Sequence, residues 1–141
     1  MRKPALVDTN VVLRFLLNDD VQQSPEAMAL FTHAPAGSLL VTCLILAEVG
    51  WVLLSHYKVP RDQVALAFQR VLAQPSVHAD AVAIDAVTRF SATKLDLTDC
   101  VLAAQAWHEQ REIVTFDRDF QRFRDITAVG AKAALAQWQR P

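Results

Sequence analysis

Short apolar runs alternate with longer stretches of helical periodicity along this chain, and that order leaves few folds open. Ala5-Leu6-Val7 is a brief run that ends at Asp8, as a buried parallel strand ends. Thr9-Asn10 supplies a helix-start signal, and Val11, Val12, Phe15 and Leu16 follow at helical spacing. Ser24-Pro25-Glu26 marks a second start with proline at the first helical position, and Leu30 and Phe31 give that helix an apolar side. Turn residues Ala34–Ser38 lead into a second strand, Leu39–Thr42, and then into a long apolar helix, Leu44–His56. Pro60-Arg61-Asp62 opens a helix through Leu72 that Pro75 stops, and Val77–Ala79 reads as a short strand before a helix over Ala81–Ala92. Asp96-Leu97-Thr98-Asp99 begins another helix, through Trp107. Ile113-Val114-Thr115 is a β-branched strand, followed by the acidic, aromatic turn Phe116–Phe120. Ile126–Val129 forms a last short strand and Ala131–Trp138 a terminal helix. Such alternation implies parallel pairing with helices on both faces. The expected fold is α/β, a small parallel sheet sandwiched by helices in one helix-rich domain over residues 1–141.

Composition narrows the class. Apolar residues at 52% against 21% charged exclude disorder, and three glycines leave no room for a glycine-rich phosphate loop. Cys43 and Cys100 are too few for a disulfide framework and read as small buried hydrophobes. The basic start, Met1–Pro4, is followed by an apolar run cut at Asp8 and Arg14, which is no signal peptide. The longest apolar stretch, Leu39–Leu54, falls short of a ~20-residue span and carries Glu48 near its middle. These features describe a soluble protein of a reducing, cytoplasmic compartment with no membrane partner. Net charge is −1, so no overall positive field attracts nucleic acid. Four acids neutralised in a metal site would leave 14 basic against 11 acidic side chains, a surface of +3.

The acids carry the functional signal. In parallel sheets ligands bind beyond the carboxyl ends of the strands, which is where Asp8 and Asp117 fall. Aspartate after a strand is also ordinary turn chemistry. Glu48 lies between Cys43–Ala47 and Val49–Leu54, in a helix apolar nearly all round, so its carboxylate is expected to be buried with a metal or an arginine. A solvent-facing glutamate fits that helix poorly. Asp96 and Asp99 open a helix three residues apart, where capping and dipole stabilisation account for both and a site at the sheet edge is compatible. Several carboxylates drawn together repel unless cations intervene. An oxygen-only set suits Mg²⁺ or Mn²⁺, which activate water and neutralise charge on a phosphodiester. The cluster thus suggests metal-assisted phosphodiester hydrolysis.

The motifs around these acids are similar to those of a known family. Leu6-Val7-Asp8-Thr9-Asn10-Val11-Val12 resembles the opening motif of PIN-domain ribonucleases, and Leu46-Ala47-Glu48-Val49 their second acidic motif. Leu97–Ala104 resembles the third, and Val114-Thr115-Phe116-Asp117-Arg118-Asp119-Phe120 the fourth. Each motif is weakly specific, but four in order over residues 6–120 are strongly so. The compact length looks most like VapC-type toxins of type II toxin–antitoxin pairs. The resemblance implies a PIN-like fold, Mg²⁺- or Mn²⁺-dependent endoribonuclease activity on RNA, a homodimer, and a cognate antitoxin that inhibits it. By motif position it makes Asp8, Glu48, Asp99 and Asp117 the metal ligands and catalytic acids. Asn10 supports them through its amide and Thr115 through its hydroxyl, with Asp96 and Asp119 as outer-shell candidates. The stretch Tyr57–Phe90 matches no family motif.

Other constellations give less. His33, His56, His78 and His108 have no metal-ligand spacing with one another or with the cysteines. No serine sits in a nucleophile elbow, and Asn10 replaces the second aspartate a phosphoaspartyl hydrolase needs. Arg118, Arg122 and Arg124, interleaved with Phe120 and Phe123, are candidates for gripping RNA, as are Arg14 and Lys94. The competing reading is a solvated turn whose phenylalanines pack inward. Trp51 and Trp107 lie on apolar helical faces and are expected in the core, while Trp138 packs at home or against a second subunit. Two further functions stay open on residues alone. One is a non-catalytic module whose acids hold an arginine of a protein partner. The other is a DNA nuclease, since nothing in the chain reads a 2′-hydroxyl.

Overall fold

The computed structural model describes residues 2–141. Its first strand, β1 (Ala5–Leu6), gives way at Asp8 to helix α1 (Thr9–Leu17). The Asp8 carboxylate accepts from the Thr9 N–H at 2.8 Å, so the acid itself is the N-cap, one residue before the expected Thr9-Asn10 signal. Helix α2 (Gln23–His33) also starts earlier than its proline suggests. Asp20 Oδ1 accepts from the N–H groups of Gln22 and Gln23 at 3.0 and 2.7 Å, which starts the helix ahead of Pro25. Pro25 then falls within the first turn, where its missing N–H has no intrahelical partner to lose.

Strand β2 (Leu39–Leu40) leads to α3 (Cys43–Ser55), where the Thr42 hydroxyl caps the Ile45 N–H at 3.4 Å. There follow α4 (Arg61–Leu72), α5 (Ala81–Ala92), α6 (Leu97–Glu109) and β3 (Ile113–Val114). A single 3-10 turn (Arg118–Arg122), β4 (Ala128–Val129) and α7 (Ala131–Trp138) complete the order. Pairing is parallel, as the alternation requires: Ala5 and Leu6 lie beside Leu39 and Leu40, and Ile113 and Val114 beside Ala128 and Val129. The small sheet comes as two separate two-stranded ladders. The Val77–Ala79 strand reduces to one bridge, Val77 to Leu39, and Ile126–Val129 to its last two residues. Capping residues explain the brevity, because Asp8 and Thr42 turn the chain into a helix almost as soon as a strand ends.

Helices therefore carry most of the core. Phe15, Phe31, Phe68 and Phe90 are fully buried, with Val12, Leu46, Val49 and Val64 among them. The Phe68 and Phe90 rings meet edge to face at 5.4 Å between centroids. Gly50 lets α3 approach α4 closely: a Cβ there would stand 2.7 Å from Phe68 Cζ. Two arginines tie the periphery to this core. The Arg61 guanidinium lies 3.7 Å over the Phe90 ring and donates to the carbonyls of Phe90, Thr93 and Leu95 at 2.6–3.1 Å. Arg89, only 9% exposed, pairs with Asp85 on its own helix and with both oxygens of Asp125 at 3.0 and 2.6 Å.

Three burial expectations change. Trp51 and Trp107 are 67% and 51% exposed and do not belong to the core. Helix α3 buries only the stripe Leu46, Val49, Gly50 and Leu53, leaving Leu44, Glu48, Trp51 and Ser55 on an exposed stripe at helical spacing. Trp138 does not pack at home: it is exposed, which leaves the second-subunit alternative. Phe120 and Phe123 pack inward, the solvated-turn reading of that segment, while Arg118, Arg122 and Arg124 point outward. Cys100 is buried and Cys43 half-buried, and burial pushes the Cys43 thiol up to about 11, so both behave as inert apolar groups. No helix among the described residues is long and apolar enough to cross a membrane.

Two stability outcomes follow. Gly50→Ala gains helix propensity but overpacks a buried ring, and urea unfolding will show a net loss of about 1–2 kcal/mol; a neutral or stabilised variant refutes the close approach. Arg89→Ala strands two carboxylates, one of them half-exposed, and costs roughly 2–3 kcal/mol at pH 7. The Arg89 hydrogen bonds hold Asp125 below the usual aspartate range. Its stabilisation is therefore full above pH ~4 and fades as pH falls through the lowered value, so the cost of Arg89→Ala shrinks in acid.

Candidate active site

Thr9 ties the first two acidic motifs together. It is 6% exposed, its N–H donates to Asp8 Oδ1, and its hydroxyl donates to Glu48 Oε2, both at 2.8 Å. Glu48 itself is exposed, contrary to the burial its apolar neighbours suggest, and its observed partner is this hydroxyl and not an arginine. The reason is the exposed stripe of α3, which turns Glu48 toward the start of α1. Thr9 is the residue that sequence reasoning missed. The signal was present, a hydroxyl directly after an acid at a strand-to-helix switch, but its target lies 39 residues away.

The other two motifs meet around Asp99. Partial burial, and then the negative charges of Asp96, Asp117 and Asp119, push the Asp99 carboxyl above the usual aspartate range. Asp96 and Asp119, expected in an outer shell, thus stand with Asp117 among the charges that act on Asp99. Asp96 occupies the N-cap position of α6 yet makes no side-chain cap bond. The turn that carries Asp117 is built from its own polar groups. The Thr115 hydroxyl accepts from the Asp117 N–H at 2.9 Å, and Asp117 Oδ1 accepts from the Asp119 N–H at 2.8 Å. Thr115 is held in turn by its N–H on the Val129 carbonyl at 2.9 Å.

The acids form two groups, Asp8 with Glu48 through Thr9, and Asp96, Asp99, Asp117 and Asp119. Asn10, two residues after Asp8, is exposed and lines a groove between α1 and α2 with Arg14, Gln23 and Glu26. Arg14 pairs with Asp19 at 2.5 Å, so its guanidinium is already engaged. Arg118 and Arg122 stand at the acidic turn, exposed, with Arg122 3.8 Å from Asp119. His108 lies 3.3 Å from Asp85, away from these acids in sequence and in partner.

The donor set is all carboxylate oxygen, the chemistry Mg²⁺ and Mn²⁺ prefer, and the repulsion on Asp99 is the kind a cation relieves. Among the described residues no three His, Cys, Asp or Glu side chains close on one point. Holding an ion therefore requires these side chains to turn, which their exposure allows for Glu48, Asp96 and Asp117.

Comparison with known proteins adds a family. The PIN domain profile matches residues 5–126. No curated protein matches the chain. A solved structure, VapBC2 from Rickettsia felis bound to a DNA fragment from their promoter, is similar over 89% of this chain and 96% of the matched chain, at 13% identity and a TM-score of 0.34.

The repulsion on Asp99 has a measurable sign. A carboxyl that holds its proton more tightly folded than unfolded makes the native state lose stability as pH rises from about 4 through the raised value. Asp99→Asn removes that loss, and its unfolding free energy from urea titration will exceed the parent's at pH 7 by roughly half a kcal/mol, with the difference closing toward pH 4. A lower midpoint for Asp99→Asn at pH 7 would show that burial and the neighbouring charges do not oppose ionisation of Asp99.

Proposed function

The chain belongs to the PIN domain family, and from that membership we propose that it is a divalent-metal-dependent endoribonuclease, the toxin of a toxin–antitoxin pair working in the cytoplasm. One observation carries the reading: the four acidic motifs fall in family order inside the matched residues 5–126, and Asp117 acts on Asp99 across the fold. Asp8, Glu48, Asp99 and Asp117 would hold Mg²⁺ or Mn²⁺, which would supply charge neutralisation at the phosphodiester and ease deprotonation of water.

The protein's own groups do the rest. Thr9 donates to Glu48 Oε2 and leaves Oε1 free to face a bound ion. Thr115 holds the Asp117 backbone, and the Asp117 charge acts on Asp99. Arg118 and Arg122 offer positive charge to the RNA backbone beside the acids. Asp96 and Asp119 adjust the charge on Asp99. The cognate antitoxin silences the site by bringing a basic side chain to the same acids, and a second copy of the chain completes a homodimer. These two partners rest on the motif resemblance.

The test uses purified protein, freed of any partner, with a mixed structured RNA pool in Mn²⁺, Mg²⁺ or EDTA, and the matching DNA pool alongside. Cleavage of RNA will need the metal and will fall about 100-fold or more in both Glu48→Gln and Asp99→Asn. Undiminished cleavage by those two folded variants removes the acids from the reaction. Silence in either metal favours the non-catalytic module, and cutting confined to DNA replaces the substrate.

A further inference from the structure

A cleft of about 240 Å³ opens between α3, α4, α5 and the start of α6, and shares one residue with the acidic site. Phe68 and Phe90 line it, Trp51 stands on its rim with two-thirds of its surface in solvent, and Ser55, Asp96 and Thr98 supply polar groups. Nothing in the proposed reaction uses Trp51 or this cleft. Resting on the RNA-cleaving reading, we propose that it is a subsite for one nucleobase of the substrate, guanine above the others, next to the scissile phosphate.

Three features select that occupant. The cleft is smaller than a drug-sized pocket and matches a single planar ring. Phe68 and Phe90 are buried and close the floor of the cleft, so the exposed Trp51 indole at its rim is the ring a base stacks on. Asp96 repels phosphate, so the part of a nucleotide that enters is its uncharged base. The Asp96 carboxylate also makes no cap bond with its own helix, although it sits at the cap. Guanine offers that carboxylate two parallel donors, N1–H and the exocyclic amine, while its acceptors are available to the Ser55 and Thr98 hydroxyls. Uracil presents acceptors on both sides of its single N–H and meets Asp96 poorly. An arginine side chain would also stack and pair here, but it has no acceptor for either hydroxyl hydrogen. Continuity completes the case. Asp96 lines the cleft and sits at the N-cap position of α6, three residues before Asp99 in its first turn, so a base seated there leaves its phosphate near the acids.

The experiment uses the full chain with Trp107→Phe and Trp138→Phe, both at exposed positions, so that Trp51 is the one indole left. Folding is checked by circular dichroism, and guanosine, uridine and N-acetylarginine amide are titrated without metal. Guanosine will quench Trp51 saturably, with uridine at least about tenfold weaker, and Asp96→Asn will abolish the preference. With cleavage mapped on a random RNA in Mn²⁺, Trp51→Ala will lose roughly tenfold in rate at guanosine-flanked sites and little elsewhere. No saturable response to guanosine, an equal response to uridine, or a response to the arginine amide alone overturns the subsite, the last pointing to a basic protein partner. The titration needs no cleavage. A chain that binds guanosine but cuts nothing refutes the nuclease and keeps the subsite, and one that cuts without the guanosine response does the reverse.

Discussion

Arginine side chains hold together what the sheet is too small to hold. Each strand is two residues long, so the two ladders contribute few inter-strand hydrogen bonds and no continuous platform. Arg61 compensates on one side by gathering three carbonyls from the end of α5 and the turn into α6, which fixes the approach to Asp96 and Asp99. Arg89 compensates on the other by gripping Asp125, just beyond the turn that carries Asp117 and Asp119. Both guanidinium groups also lie over phenylalanine rings of that neighbourhood, Phe90 and Phe123. The acids around Asp99 sit at the start of α6 and at a 3-10 turn, and each of these segments is tied to the helical core by a charged, multidentate contact.

That anchoring matters because the segments oppose one another. Three aspartates act on Asp99, and their mutual repulsion is a cost the folded chain carries before any substrate or ion arrives. Sites that concentrate like charge are generally less stable than the same scaffold with the charge removed. Here the surrounding contacts, Thr115 on Asp117, Arg89 on Asp125 and the inward-packed Phe120 and Phe123, oppose the spreading that repulsion would cause.

Much of this was legible in the chain, and the failures have physical causes. Helix positions were readable because each helix carries its own start signal and apolar spacing, and parallel pairing followed from the alternation. Strand lengths were not, because Asp8 and Thr42 act as caps and cut the apolar runs short. The four acids could be read as a set from their motifs, but not their grouping, which depends on which face of α3 is buried. That face is ambiguous when Leu44, Trp51 and Leu54 are as apolar as Leu46 and Val49. Glu48 and Trp51 were consequently misplaced inward together. Thr9 and Arg89 escaped notice for another reason: their partners lie 39 and 36 residues away, beyond any local pattern.

Gly50 carries a consequence for how this fold can change over generations. The closeness of α3 and α4 depends on a carbon atom that is absent, with the Phe68 ring filling the place. Any side chain at position 50 is blocked while Phe68 stays, and a smaller residue at 68 leaves a void while Gly50 stays. Each single step is uphill, although the exchanged pair could pack well. Substitutions at the two positions are therefore epistatic, and because both line the cleft between these helices, its shape is inherited as a unit and not adjusted one residue at a time.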